Sequence, residues 1–156
     1  MRPVTAGDHA WVVGSLTRAW GGVTVARRGE LLDASTFPGL LAELDGAAAG
    51  LAVVAVRSDE YEVVSLATAL EGRGVGRALL QACFEDARAR GCRRVWLTTT
   101  NNNVRALAFY QRLGMDLCAF RRHGVEASRR VKPSIPLRDA AGIPIAHELD
   151  FELLVR

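Results

Sequence analysis

A fold of the α/β class, in its α+β form, is predicted by three features of the sequence. Strand-length apolar runs joined by tight turn signals fill residues 40–69. A strongly amphipathic helix then starts directly after a glycine-rich turn, and strand and helix patterns alternate from there to the C-terminus. The expected architecture is a mixed, mostly antiparallel central sheet of about six to seven strands flanked by helices, in a single domain covering 1–156. Hydrophobic residues make up 49% of the chain and charged residues 24%. That balance suits a chain that buries a core and carries no large disordered part.

Gly7 to Trp20 reads as the first helix. Thr5 and Asp8 have the spacing of a capping pair, and Val12, Leu16, Ala19 and Trp20 recur on one face before Gly21-Gly22 stops it. Val23 to Arg27 is a short β-prone run, followed by an irregular stretch to Phe37-Pro38-Gly39. Three strands come next, Leu40 to Leu44, Gly50 to Val56 and Tyr61 to Ala69, with turns at Asp45-Gly46 and Ser58-Asp59. In the helix from Val75 to Arg90, Val75, Ala78, Leu79, Ala82, Cys83 and Ala87 line one face and Gly91 caps the end. A strand from Arg93 to Thr100, a helix from Asn103 to Leu113 and a strand from Met115 to Arg122 come after it. Val125 to Ala146 is mixed and loop-rich, broken by Pro133, Pro136 and Pro144, and His147 to Val155 is an alternating closing strand.

The net charge of +3 permits an anionic ligand and falls far short of a nucleic-acid footprint. Lys132 is the only lysine, a coding bias more than a functional signal. Cys83, Cys92 and Cys118 show no CxxC and no neighbouring His pair, so reduced thiols and no metal site are expected. Met1-Arg2-Pro3 leads into a polar start with no apolar leader, and Leu51 to Val56 is far too short to span a bilayer. A soluble, cytoplasmic protein without membrane or nucleic-acid partners is expected.

The segment Glu71-Gly72-Arg73-Gly74-Val75-Gly76-Arg77 joins a strand to a helix. Glycines let a phosphate approach the backbone, and the first-turn N–H groups and the helix dipole face it. Arg73 and Arg77 add two positive charges at the same mouth. By itself this is only a tight turn able to hold an anion. A Walker loop needs Gly-Lys-Ser/Thr where the chain has Gly76-Arg77-Ala78. A dinucleotide fingerprint needs GxGxxG in an early βαβ unit, and this loop follows a meander.

Glu71 to Leu80 resembles motif A of the GNAT superfamily of N-acetyltransferases, whose loop reads (Gln/Arg)-x-x-Gly-x-(Gly/Ala). A second block, Asn103-Val104-Arg105-Ala106-Leu107-Ala108-Phe109-Tyr110-Gln111-Arg112-Leu113-Gly114-Met115, is similar to that family's Asn-x-x-Ala-x-x-Phe-Tyr-x-x-x-Gly-Phe. The two blocks stand in family order and spacing. Glu71 departs from the family, occupying the slot of Gln or Arg; a carboxylate there is tolerable when it faces solvent or pairs with Arg73 or Arg77.

The resemblance implies acetyl-CoA as cosubstrate and acyl transfer to a primary amine. It places the pantetheine arm along Leu66, Ala67 and Thr68 near a β-bulge, and the pyrophosphate on Glu71, Gly72, Arg73, Gly74, Val75, Gly76 and Arg77. Asn103, Ala106 and Tyr110 complete the cofactor contacts, with Asn103 touching the pantetheine, capping its helix, or both. Tyr110 takes the role of general acid at the thioester sulfur, against the alternative of a core aromatic beside Leu107 and Leu113. Glu62 is the candidate base through one water, against a solvated edge carboxylate; Tyr61 and Val63 face the other side of the sheet. Family acceptors bind between the first helix region, the central strands and the C-terminal segment.

Trp11 and Trp20 could wall that acceptor site or pack in the core. Glu148, Asp150 and Glu152 share a strand face that could draw a cationic amine or be merely solvated. The Lys132–Ile145 stretch could fold over the acceptor. A small-molecule amine leads; a protein N-terminus or lysine is the alternative within the same chemistry. A non-catalytic acyl-CoA-binding module is the alternative of another class, and the cluster Arg121, Arg122, Arg129 and Arg130 motivates a weaker nucleic-acid reading. A monomer or a homodimer through the last strands fits edges that need cover.

Overall fold

A computed structural model describes residues 1–156. The chain forms two compact units, the first made of Met1–Val25, Asp33–Val95 and Leu154–Arg156, the second of Ala26–Leu32 and Trp96–Leu153. The elements in order are β1 (Arg2–Pro3), α1 (His9–Trp20), β2 (Thr24–Arg27), β3 (Glu30–Asp33), β4 (Gly39–Leu44), β5 (Ala47–Arg57) and β6 (Glu60–Thr68). They continue with α2 (Val75–Ala89), β7 (Arg94–Thr100), α3 (Val104–Arg112), β8 (Asp116–Arg121), α4 (Val125–Val131) and β9 (Glu148–Leu154). Seven strands make the main, mostly antiparallel sheet, so the expected α/β class and strand count hold.

In the first unit the strand order is β1-β4-β5-β6. Strand β5 is buried without a break from Ala49 to Ala55 because both of its faces are covered. On one face Leu51 and Val53 pack with Val12 and Leu16 of α1 and with Ala34. On the other lies α2, whose Leu79, Leu80, Cys83, Phe84 and Ala87 are buried. The expected capping pair forms, Thr5 N–H donating to Asp8 Oδ2 at 2.7 Å, but it heads a short 3-10 turn over Ala6–Asp8 that precedes α1.

In the second unit the order is β7-β9-β8. Two expectations are corrected here and in the connecting hairpin. The irregular stretch after Arg27 contains β3 and a 3-10 turn at Ala34–Thr36. The loop-rich segment opens with α4, and Arg129 pins the rest of it by donating to the carbonyls of Ile135, Pro136 and Ile145 at 2.9–3.1 Å. Asn101 ties the same segment from the other end: its Oδ1 accepts the Ala146 and His147 N–H groups, and its Nδ2 donates to Pro144 O.

Candidate active site

Strand β6 delivers the chain to the glycine turn, and α2 begins at Val75. Gly72 and Gly74 stand at φ +71° and +75°, where side-chain-bearing residues are strained, and Gly74 is the N-cap. A Cβ on either glycine would meet nothing within 4 Å. Glycine is therefore demanded by the backbone path, while the turn's outer surface stays open. The Gly74 carbonyl accepts the Ala78 N–H at 3.0 Å, so the N–H groups before Ala78 lie at the helix start, where an anion finds donors and the positive dipole end. Glu71, Arg73 and Arg77 are exposed on the surface. Underneath, Val75 is buried and α2 sits so close to β5 that a Cβ on Gly50 would lie 2.6 Å from Val75 Cγ1 and 2.8 Å from Leu79 Cδ1.

On β6, Leu66, Ala67 and Thr68 stand opposite Ala52, Leu51 and Gly50. The register then slips: Ser65 faces Val53 and Val63 faces Val54, leaving Val64 as the extra residue of a β-bulge. The bulge changes which side chains share a face. In a regular strand Glu62 and Ser65, an odd number apart, point opposite ways. Here Glu62 lies across from Ala55 and Ser65 across from Val53, so both stand on the α1 face. Tyr61 points to the α2 side, as expected, where its hydroxyl donates to Asp86 Oδ2 at 3.0 Å. Glu62 is 3% exposed, which removes the solvated-edge reading. Beside it, Trp20 at the end of α1 donates its indole Nε1–H to Ser65 Oγ at 2.8 Å. Trp11 packs against the core, whereas Trp20 leaves 45% of its surface exposed.

In the second unit α3 carries Asn103, Ala106 and Tyr110. Asn103 holds the N-cap position, and its carbonyl accepts the Leu107 N–H at 3.0 Å, but its side chain makes no capping bond. The expected side-chain cap is thus absent; Val104 enters the helix through Asn102 and Asn103 main-chain turns instead. Ala106 is half-buried. The half-buried Tyr110 ring meets Phe109 edge-on at 5.5 Å and tilts against Phe151 at 5.5 Å, and burial pushes its phenol up to about 12. It stays protonated throughout the neutral range.

Of the three acidic residues expected to share a face of β9, Glu148 and Asp150 are neither solvated nor an open receptor for a cation, and Glu152 is half-buried. Glu148 and Asp150 are each 2% exposed. Asp150 accepts from Arg121 at 2.7 and 2.8 Å, from Thr98 Oγ1 at 2.7 Å and from Arg28 Nη2. Glu148 accepts from Ser128 Oγ, Arg121 Nη2 and the Arg28 N–H at 2.8, 3.1 and 2.9 Å. Burial opposes ionisation of Asp150, but the hydrogen bonds from Arg121, Thr98 and Arg28 win and hold it below the usual carboxylate range. Arg121 is consumed by this cluster and Arg129 by main-chain carbonyls, so two of the four arginines behind the nucleic-acid reading are engaged internally.

Residues 12–115, which enclose both the glycine turn and the Asn103–Gly114 block, match the model of the Acetyltransferase (GNAT) family. The chain belongs to the GNAT acetyltransferase family. Its enzyme class is therefore acyltransferase. YdhI, an uncharacterized protein of Bacillus subtilis, is 39% identical over 121 residues, spanning 72% of this chain and 76% of that one. The streptothricin acetyltransferase of Streptomyces lavendulae is 35% identical over 94 residues, 58% of this chain and 49% of that relative, so the match spans about half its length. In fold, the chain resembles the acetyltransferase yncA from Salmonella typhimurium, solved with its cofactor acetyl-CoA. The TM-score is 0.71 at 17% identity, covering 99% of this chain and 92% of that one. No helix is long and apolar enough to cross a membrane.

Sequence reasoning missed Arg28 and the Trp20–Ser65 bond. A signal for the first was present: Arg28-Gly29 between two short β-prone runs is a two-residue hairpin turn ending in glycine. None existed for the second, because it depends on the bulge at Val64.

Proposed function

We propose that this chain transfers the acetyl group of acetyl-CoA to a primary amine of a small molecule, with 1–156 working as one acetyltransferase domain. The observation that carries the reading is the open turn from Glu71 to Arg77. It is shaped by two left-handed glycines, heads a 15-residue helix and is flanked by Arg73 and Arg77. Its N–H groups would take the pyrophosphate, and Leu66, Ala67 and Thr68 would offer main-chain partners to the pantetheine. Asn103, Ala106 and Tyr110 are the further cofactor contacts in this reading. The streptothricin relative supports a small-molecule acceptor.

An alkylammonium, near 10.4, must lose a proton before it attacks. Glu62 accepts that proton through one water, the amine nitrogen attacks the thioester carbonyl, and the C–S bond breaks. Tyr110 donates its hydroxyl hydrogen toward the departing sulfur. Full transfer from a phenol at about 12 to a thiolate near 8.5 is uphill by roughly 5 kcal/mol. Dry surroundings raise a thiol in the same sense, which keeps donor and sulfur matched.

Acetyl-CoA at about a hundred times its Kd stabilises a folded protein by ~2.7 kcal/mol, or roughly 5–10 °C for a chain of this size. Thermal melting with and without the cofactor is expected to show such a rise. In Gly74→Val, whose side chain has room but whose φ is strained, the rise should shrink well below the wild-type value. An unchanged melting temperature in the wild type would remove the turn as a cofactor site.

A further inference from the structure

We infer that Arg28 is a carboxylate-recognising residue, and that the acceptors this chain prefers are amines that also carry a carboxylate. The inference rests on the proposed acetyltransferase activity and deepens it by naming a substrate class.

Arg28 occupies the first position of the two-residue turn between β2 and β3, with φ +52°, a left-handed conformation that a long side chain adopts only at a cost. Three contacts hold it there. Its N–H donates to Glu148, its Nη2 donates to buried Asp150, and its guanidinium lies 4.1 Å above the ring of Trp96. Trp96 is itself 7% exposed, so the surface under the guanidinium is fixed. A guanidinium has five N–H donors. Asp150 takes one N–H of Nη2, so one of the two forks that share this nitrogen, Nε–Nη2 or Nη1–Nη2, keeps both of its donors, and the side chain remains 37% exposed.

The neighbouring cations differ. Arg121 gives both Nη groups to Asp150 and Glu148, and its Nε is buried. Arg27 is 6% exposed and paired with Glu30. Arg28 alone among them presents an immobilised, outward donor edge. A planar fork stacked on an aromatic face matches the two oxygens of a carboxylate. Because Asp150 and Glu148 balance Arg28 and Arg121 in charge, such a site works through oriented donors and not through net charge. Little side-chain entropy remains to be lost on binding, since stacking and the Asp150 bond have already ordered the arginine.

The test compares matched amines, phenylalanine against phenethylamine and lysine against cadaverine, by release of free thiol from acetyl-CoA. Wild-type kcat/KM is expected to favour the carboxylate-bearing member of each pair by at least about tenfold. Arg28→Gln should erase that preference by lowering the amino acids tenfold or more while the decarboxylated amines change less than about threefold. Acetyl-CoA binding should be unchanged. Arg28→Lys, which keeps the charge without the fork, should fall between. Equal rates for both members in the wild type, or an equal fall for both in Arg28→Gln, would overturn the inference, leaving Arg28 as a clamp on the turn. Thiol release with no amine at all would instead count against the acetyltransferase reading on which it rests.

Discussion

Replacing Tyr110 with phenylalanine is expected to lower kcat about a hundredfold, the lower end of what a positioned proton donor contributes. The ring keeps its contacts with Phe109 and Phe151, so packing is retained. Burial alone accounts for the raised phenol, with no hydrogen-bond partner contributing. Removing the hydroxyl therefore strands no buried group, and stability should change by less than about 1 kcal/mol. Acetyl-CoA affinity should stay within about threefold. The pH profile gives a second check. With its phenol near 12, Tyr110 remains a donor beyond pH 10, so no loss of wild-type kcat up to that pH should trace to its ionisation. Single-turnover thiol release by the two proteins measures the effect, and equal rates would take Tyr110 out of the mechanism.

The second large effect is on stability. Asp150→Ala removes the acceptor shared by Arg121, Arg28 and Thr98 and leaves two cations without their buried counter-charge. Breaking one partner of a buried ion pair costs about 3–5 kcal/mol. Arg28 and Arg121 keep some access to water, which places this case near 3 kcal/mol, or about 10 °C in melting temperature. The pH dependence has a definite sign. A carboxylate whose folded pKa is depressed contributes stability that is fully present above its unfolded value, near 4, and is lost as pH falls through the folded value. The gap between wild type and Asp150→Ala should thus hold steady from pH 8 to 5 and narrow below about pH 4. A gap that widens on acidification would contradict the assigned cluster.

Features encoded locally were legible in the sequence. The helix over Val75–Ala89 shows its apolar stripe, and the turn before it shows its glycines, because both depend on neighbours within a few residues. The Asn103–Gly114 block shared that legibility. Register is different. The bulge at Val64, which turns Glu62 and Ser65 to one face, is set by pairing with β5 and leaves no mark in β6 itself. The alternation of Glu148 and Asp150 was visible, but their partners were not: Arg28 lies 120 and 122 residues away from them. The α4 helix hid for a simpler reason, as seven residues running into a proline-broken segment show too little periodicity to separate from a loop.

Acetyl transfer itself is tested most directly by tracking free thiol on mixing the protein with acetyl-CoA and a panel of primary amines, with amine-free and protein-free controls. The account predicts amine-dependent thiol release matched mole for mole by acetylated amine, and its loss in Tyr110→Phe. Acetyl-CoA that binds and raises the melting temperature, yet releases no thiol with any amine, would contradict it and leave an acyl-CoA-binding module.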